Sequence, residues 1–261
     1  HCWQRLAHGP SCGSFESRKS AVQFSRTLDM DSFPATAYRR RQGEAKTTLH
    51  WGQRKLFLAE VEFLSKYTMH SESDREKTYD VVYAGAAPGT HLVLLKEWFP
   101  NCVFHCYDPR IFDGSLQEVA DVFTHVRCFQ DDDATIWSDP QQISSSATYG
   151  HERLGADINY GGVLFIADIR TGDWQQMSDE CNERCCAEDL AAMERWVHLM
   201  KPKKAMLKFR LPYSEDPFEE SVHLAGDIFF PVFGPQTTTE SRLVCDATSG
   251  TKIYNHKLYN E

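Results

Sequence analysis

Apolar positions recur along the chain at two different periods, and this predicts helices that alternate with strands. Residues 53–67 carry apolar side chains at helical spacing, which predicts a first helix with Leu56, Leu58, Ala59, Val61, Phe63 and Leu64 broadly on one side. Residues 184–200 repeat the pattern, and the expected buried side consists of Leu190, Met193, Trp196, Val197 and Met200. Residues 1–47 are polar and weakly periodic. We therefore predict an irregular N-terminal arm, 1–47, and one folded domain, 48–261.

Short β-branched and aromatic runs predict the strands between these helices. They are TYDVVYAG, CVFHCYD, THVRCF at 124–129, GGVLFIAD, KAMLKFRL and, further on, HLAGDIFFPVF and TESRLVCD. Strands alternating with helices predict an α/β fold with an open, mostly parallel sheet flanked by helices. Gly85, Asp108 and Asp168 each end one of these runs. Because ligands of such sheets bind beyond the carboxyl ends of the strands, we expect the functional site there.

Composition and charge narrow the class of protein. Apolar residues make up 41% of the 261 residues, which is enough for a sizeable core. No apolar run is long enough for a membrane span, and the first residues lack the pattern of a signal peptide. The net charge of −9 argues against a nucleic-acid partner, but basic residues cluster at Arg39, Arg40, Arg41, Lys46, Arg54, Lys55 and again at Lys201, Lys203, Lys204, Lys208, Arg210. From charge alone, solvated faces are favoured over RNA-binding patches.

The cysteines indicate a reducing intracellular compartment. There are nine, an odd number without the regular spacing of a disulfide framework. Cys181, Cys185 and Cys186 lie near His198 in sequence, but their spacing is not that of a zinc site. We therefore predict structural thiols and no metal.

The segment after the first predicted strand has the composition of a ligand-binding turn. It reads AAPGTH, and its small residues let the backbone approach a ligand closely. Because it is not GxGxxG, a ligand with a carboxylate and an ammonium group is favoured over a dinucleotide pyrophosphate. Asp108 ends the next strand, where an acid accepts hydrogen bonds from ribose hydroxyls. A structural βα turn and a turn-capping aspartate remain the alternatives.

Lys208 is the candidate for proton transfer. It lies in the apolar run AMLKF, where a charge is costly unless it points into a polar site. A partly buried lysine among other cations can accept a proton from a weakly acidic hydroxyl. An exposed strand face is the alternative. Lys55, Asp168 and Glu240 would complete a K-D-K-E set, although each is ordinary on its own.

Six segments in order carry a resemblance to a known family. They are QRKLFLAEVEFLSK, VVYAGAAPGTH, YDPR, FIADIR, LKFRLPY and ESRL, within about residues 51–245. The chain resembles the poxvirus-type mRNA cap-specific nucleoside 2'-O-methyltransferases, whose catalytic set is a K-D-K-E tetrad, and it is similar also to the trypanosomatid branch that acts on the cap-4 structure. The resemblance implies a Rossmann-like methyltransferase fold, S-adenosyl-L-methionine as cofactor and 5'-capped mRNA as substrate. It implies the nucleus for a trypanosomatid protein and the host cytoplasm for a viral one.

The resemblance also implies roles for individual residues. Lys208 looks like the lysine that deprotonates the ribose hydroxyl, Asp168 like the acid that steers it, and Lys55 and Glu240 like the flanking members, with Arg242 as a neighbour. The residues in cofactor-binding positions are Gln53, Tyr83, Gly85, Ala87, Pro88, Gly89, His91, Asp108, Arg110 and Ile169. Those in cap- or RNA-binding positions are Tyr213, Glu215, Arg242 and Arg170, with Tyr38 as the candidate second ring around the cap guanine.

Two other functions compete with this interpretation. One is ribose 2'-O-methylation of rRNA or tRNA, for which cap stacking on Tyr213 is unnecessary. The other is a non-catalytic RNA-binding or polymerase-accessory subunit on the same fold. The intact tetrad argues against the second alternative. A capping or polymerase partner protein is compatible with each function.

Overall fold

A seven-stranded sheet forms the centre of the protein. The structure, a computed structural model, describes residues 51–139, 159–172, 176–214, 216–231 and 240–260, with the backbone alone for 51–53. The predicted arm, 1–47, lies outside the described residues. The helices are α1 (Trp51–Thr68), α2 (Glu72–Arg75), α3 (Leu92–Trp98), α4 (Asp131–Ile136), α5 (Asp179–Met200) and α6 (His256–Asn260), with a 3-10 helix at Gly114–Glu118. The strands are β1 (Thr78–Ala84), β2 (Cys102–Asp108), β3 (Val122–Val126), β4 (Tyr160–Ala167), β5 (Lys204–Phe209), β6 (Glu220–Leu224), β7 (Asp227–Phe229), β8 (Ser241–Cys245) and β9 (Thr251–Asn255).

The strand order confirms the predicted α/β fold. The large sheet has the order β3-β2-β1-β4-β5-β8-β7, and β6 pairs with β9 in a separate two-stranded sheet. Strands β3, β2, β1, β4 and β5 are parallel to one another, whereas β8 is antiparallel to both β5 and β7. The chain runs outward from β1 through β2 to β3 and then resumes at β4, on the other side of β1. This is the strand order of a Rossmann-like sheet, and the crevice between β1 and β4 is its topological switch point.

Helices cover both faces of the sheet. On one face, side chains of α1 and α3 pack with those of β1 and β2. On the other face, α5 packs against β4 and β5 through the five residues predicted to be buried, which confirms that prediction. Helix α1 buries Ala59, Phe63 and Leu64 of its predicted apolar side, and Leu56, Leu58 and Val61 are half-buried. Glu60, a polar residue of the same helix, is fully buried.

Three predicted segments differ most from the structure, while the bounds of the others differ by at most two residues at either end. Helix α5 begins at Asp179 rather than 184 because the Ser178 side chain accepts a hydrogen bond from the Cys181 amide and caps the helix. The third strand is Val122–Val126 instead of 124–129. The run HLAGDIFFPVF, predicted as one strand, is divided between two sheets at Gly226, where an added Cβ would lie 2.4 Å from the Val244 carbonyl oxygen.

No helix among the described residues has both the length and the apolar character needed to cross a membrane.

Candidate active site

The ends of β1 and β4 touch each other at the carboxyl edge of the sheet. The Asp168 amide donates to the Ala84 carbonyl oxygen over 3.0 Å. Gly85 follows with a positive φ of 85°, and an added Cβ would lie only 2.7 Å from the Asp168 carbonyl oxygen. A glycine is therefore required by both the backbone conformation and the close approach. This contact places the AAPGTH loop directly beside the predicted catalytic acid.

The AAPGTH loop itself is compact. Ala86 and Ala87 are buried, and the Pro88 carbonyl oxygen accepts from the Asp113 amide at 2.9 Å. Gly89 also has a positive φ, 75°, and a Cβ there would lie 2.9 Å from the side chains of Leu92 and Leu116. The predicted cofactor-loop residues thus form one tight turn between β1 and α3.

Asp108 lies beside this loop, at the end of β2. Its Oδ2 accepts from the Ala87 amide at 3.1 Å, and its Oδ1 accepts from the Arg110 amide at 2.9 Å. The Arg110 guanidinium binds both carboxylate oxygens, through Nε at 3.0 Å and Nη2 at 2.9 Å. Burial raises the pKa of Asp108, but these hydrogen bonds more than offset it and hold the pKa below its usual value. Asp108 is therefore an ionised, almost fully buried carboxylate tied to the loop, while Arg110 is 68% exposed.

Tyr83 and His91 meet at a residue that the sequence analysis missed. The Tyr83 hydroxyl donates to Glu60 Oε1, and His91 Nε2 lies 3.1 Å from the same oxygen. Tyr83 is fully buried, so its side chain supports the loop from within the core. The signal available in the sequence was an acid in the middle of the apolar face of α1.

The four predicted catalytic residues converge from four separate segments. Lys208 Nζ, on β5, lies 3.1 Å from Oδ1 of Asp168, which follows β4. Lys55 Nζ, on α1, lies 3.8 Å from Oε2 of Glu240, which precedes β8. Lys55 and Lys208 are 13% and 16% exposed, so both amines are largely removed from water. The structure thus brings the predicted set together as two ion pairs.

Arg242 joins these two pairs. Its Nη2 lies 3.1 Å from Asp168 Oδ1 and 3.3 Å from Glu240 Oε1. The register of β5 and β8 places Arg242 directly opposite Lys208. The resemblance placed Arg242 beside the tetrad and also in an RNA-binding position. Its side chain is only 4% exposed and lies among the predicted catalytic carboxylates.

The cations of this cluster lower the pKa values of both of its carboxyl groups. Burial raises the pKa of Asp168, and the charges of Lys208 and Arg242 more than offset that effect, so its pKa lies below the usual value. Burial likewise raises the pKa of Glu240, but Arg242, Lys208 and Lys55 lower it overall. Three cations facing two carboxylates leave one net positive charge. Such a field favours a negative charge that develops on a bound hydroxyl.

The predicted cap-binding residues are described only in part. Tyr213 is 40% exposed, and the guanidinium carbon of Arg210 lies 4.3 Å from the centre of its ring. Arg210 is itself held by Glu183 and lies 3.1 Å from Cys186 Sγ. The Tyr213 ring therefore lies against a guanidinium that Glu183 holds in place. Tyr38 and Glu215 lie outside the described residues.

The remaining predicted residues lie near the same edge or remain untested. Ile169 is half-buried against the core, and Arg170 is exposed, with Nη1 3.2 Å from Cys186 Sγ. Gln53 falls within α1, but its side chain lies outside the described atoms.

The second basic cluster predicted from the sequence is not one continuous patch. Lys204 lies at the start of β5 and pairs with Asp246, whereas Lys208 lies near its end and pairs with Asp168.

The cysteines of the described segments are free thiols. They are Cys102, Cys106, Cys128, Cys181, Cys185, Cys186 and Cys245. Within those segments, no group of three or more histidine, cysteine or acidic side chains is arranged to hold a metal ion.

Comparison with known sequences finds one family and several relatives. The family described as "Poly A polymerase regulatory subunit" matches residues 30–258. The cap-specific mRNA (nucleoside-2'-O-)-methyltransferase of Myxoma virus (strain Lausanne) is 27% identical over 208 residues, covering 78% of this chain and 54% of the relative. The protein of the same name from Fowlpox virus (strain NVSL) is 24% identical over 197 residues, covering 74% and 57%. The chain therefore spans about half the length of the curated relatives it matches.

Comparison with solved structures finds weaker similarity. Bluetongue virus VP4, described as a multifunctional RNA-capping production line, matches at a TM-score of 0.46 and 17% identity, covering 86% of this chain and 30% of that one. A putative ribosomal RNA methyltransferase from Plasmodium falciparum matches at a TM-score of 0.41 and 15% identity, covering 74% and 97%.

Proposed function

Because the chain belongs to the poly A polymerase regulatory subunit family, we propose that it transfers a methyl group from S-adenosylmethionine to a ribose 2'-hydroxyl near the 5' cap of an mRNA. One observation carries the proposal. Lys55, Asp168, Lys208 and Glu240 come from four separate segments and form adjoining ion pairs at the carboxyl edge of the sheet. This cluster adjoins the tight loop after β1, where the fold binds its ligands.

The residues around the loop fit the proposed methyl donor. Gly85 and Gly89 let the loop pack against Asp168, Leu92 and Leu116, where side chains would collide, and so hold the loop at the end of β1. In the proposed complex, ribose hydroxyls donate to the ionised Asp108 carboxylate in place of the exposed Arg110 guanidinium. His91 offers an imidazole beside the loop for an amino-acid carboxylate. When bound, S-adenosylmethionine supplies a methyl group that is already activated as a sulfonium. The protein then has to orient the acceptor hydroxyl and remove its proton.

The catalytic cluster supplies those two functions in the proposal. Lys208 accepts the proton of the 2'-hydroxyl, and Asp168, 3.1 Å away, fixes the position of its amine. Arg242 shares the Asp168 carboxylate with Lys208 and fixes its position from the other side. Lys55 and Glu240 extend the cluster toward α1. Once Lys208 takes up the proton, the cluster carries one net positive charge, which stabilises the alkoxide that develops.

Recognition of the cap is assigned to Tyr213. A partly exposed ring beside a guanidinium is suited to stack with a cationic methylated guanine. The curated relatives are named as cap-specific mRNA methyltransferases, and this supports capped mRNA over rRNA or tRNA as the substrate.

A transfer assay with matched RNAs tests the substrate. The protein is incubated with S-adenosylmethionine carrying a tritiated methyl group and with RNAs that differ only in a 7-methylguanosine cap. We expect transfer to the capped RNA and little to the uncapped RNA. Equal transfer to both would contradict cap recognition and favour the rRNA or tRNA alternative.

Two finer assignments also belong to this proposal. The description of the family supports a polymerase subunit as a partner protein. Membership of the trypanosomatid branch would predict methylation beyond the first transcribed nucleotide. Mapping the methylated position in a capped RNA would decide between that branch and a viral enzyme. Methylation confined to the first nucleotide would contradict the trypanosomatid assignment.

A further inference from the structure

Glu60 is a fully buried carboxylate that no step of the proposed reaction uses. It lies on α1, five residues after Lys55, with an exposed fraction of 0%. Both of its contacts with the loop region involve Oε1, which accepts from the Tyr83 hydroxyl and lies 3.1 Å from His91 Nε2. Within the described residues, Oε2 has no hydrogen-bond partner. A buried carboxylate is costly unless hydrogen bonds and opposite charge compensate it, so these two donors hold Glu60 in place.

The positions of the hydrogen atoms follow from these contacts. Burial and the charge of Glu60 raise the pKa of Tyr83 well above its usual value, so the phenol keeps its proton and donates it to Oε1. Because Oε1 is an acceptor, His91 must carry a proton on Nε2 to bond with it. Edge contacts with the rings of Phe57 and Tyr83, at centroid distances of 6.3 and 6.4 Å, restrain the imidazole plane.

These contacts connect three elements of the site. Glu60 belongs to α1, Tyr83 to β1, and His91 ends the AAPGTH loop. We propose that Glu60 is a positioning residue of the methyl-donor site: it holds His91 as an imidazolium whose Nε2–H donates to Oε1, which leaves the Nδ1–H to bind the amino-acid carboxylate of the donor. This inference rests on the proposed function.

Charge gives the contact a measurable pH dependence. The charged groups that face His91 are Glu60 on α1 and Asp168 after β4, and the Tyr83 phenol faces it from β1. Burial lowers the pKa of His91, but the hydrogen bond and charge of Glu60, with the charge of Asp168, raise it overall. An imidazolium keeps a second N–H, at Nδ1, for a ligand carboxylate. Affinity for the donor should therefore be highest below the pKa of His91 and should decline as the pH rises through it.

Glu60→Gln separates charge from hydrogen bonding, because glutamine retains an acceptor oxygen for Tyr83 and His91. Calorimetry with S-adenosylhomocysteine at pH 6.5, where a pKa above 6.5 leaves more than half of the wild-type His91 charged, should show about a tenfold loss of affinity for Glu60→Gln, on the scale of one charge-assisted hydrogen bond. In a His91→Asn background the same substitution should change the affinity less than about twofold, because the group through which it acts is gone. Glu62→Gln, the same change two residues along α1, should leave the affinity unaltered. An equal loss in both backgrounds would overturn the role of His91.

A second measurement needs no ligand. In the ligand-free protein, the titration of the His91 Cε1–H signal by NMR should move to lower pH in Glu60→Gln than in the wild type. Should Glu60→Gln fail to fold, Tyr83→Phe decides, because it removes one donor from Oε1 and should move the titration to higher pH. Wild-type protein that does not bind S-adenosylhomocysteine would overturn the proposed function. If the wild-type protein binds S-adenosylhomocysteine but His91 titrates at the same pH in the variants as in the wild type, the role of Glu60 is overturned and the proposed function is not.

Discussion

Replacing Asp108 by alanine removes the carboxylate that connects β2 to the loop after β1. In the structure this carboxylate accepts bonds from two backbone amides and from the Arg110 guanidinium. In the proposed complex it also accepts the ribose hydroxyls of the methyl donor. Asp108→Ala therefore removes the ligand contact and leaves the buried Ala87 amide without its acceptor, so the loop itself should loosen.

The magnitude follows from the kind of bond that is lost. A hydrogen bond to a charged group contributes about 1.5 to 3 kcal/mol, which corresponds to roughly a 10- to 150-fold change in affinity. Calorimetric titration with S-adenosylhomocysteine measures the change directly. Asp131→Ala is the matched control, because Asp131 also pairs with an arginine, Arg195, but lies on the surface at the start of α4. A folded Asp108→Ala protein with wild-type affinity would refute the assignment of this carboxylate to the donor site.

Three further predictions concern catalysis, cap recognition and stability. Lys208→Ala and Lys208→Arg should both abolish methyl transfer while calorimetric binding of S-adenosylhomocysteine stays within about twofold of the wild type, because an arginine does not release a proton in this range; near-normal turnover of the arginine variant would show that Lys208 is not the base. Tyr213→Ala should weaken binding of a capped oligonucleotide by about 1 to 3 kcal/mol, measured by fluorescence anisotropy, and an unchanged affinity would remove Tyr213 from cap recognition. Burial and the charges of His105 and Arg127 lower the pKa of His125 from 6.5 to about 4, so folding should lose stability as the pH falls from 6.5 toward 4. The thermal midpoint should drop over this range by less in His125→Phe than in the wild type, and an equal drop would contradict the assignment.

The sequence could predict features that depend on local pattern. Gly85, Asp108 and Asp168 end runs with strand composition, and the order of strands and helices predicts that such ends lie at one edge of a parallel sheet. Lys208 could be singled out because a charged side chain within an apolar strand is costly unless it points into a polar site. Its pairing with Asp168 came from the resemblance, since nothing local connects residues that lie on different strands.

Features that depend on distant contacts could not be predicted in this way. Glu60 appeared as one polar position on a helix, because its partners Tyr83 and His91 lie 23 and 31 residues further along the chain. Arg242 was also assigned to an RNA contact. Its burial could not be predicted, because it results from the register between β5 and β8, which the sequence does not show. The division of the predicted strand at Gly226 likewise depends on the close approach of Val244.

The most direct test of the proposed function locates the transferred methyl group on the RNA. A capped RNA, and the same RNA with 2'-deoxyribose at the cap-proximal positions, are incubated with the protein and S-adenosylmethionine carrying a tritiated methyl group, and the nucleosides released by digestion are separated. The proposal predicts label on a cap-proximal 2'-O-methylated nucleoside of the ribose RNA and none on the deoxyribose RNA. Label on a base, or equal label on the two RNAs, would contradict it.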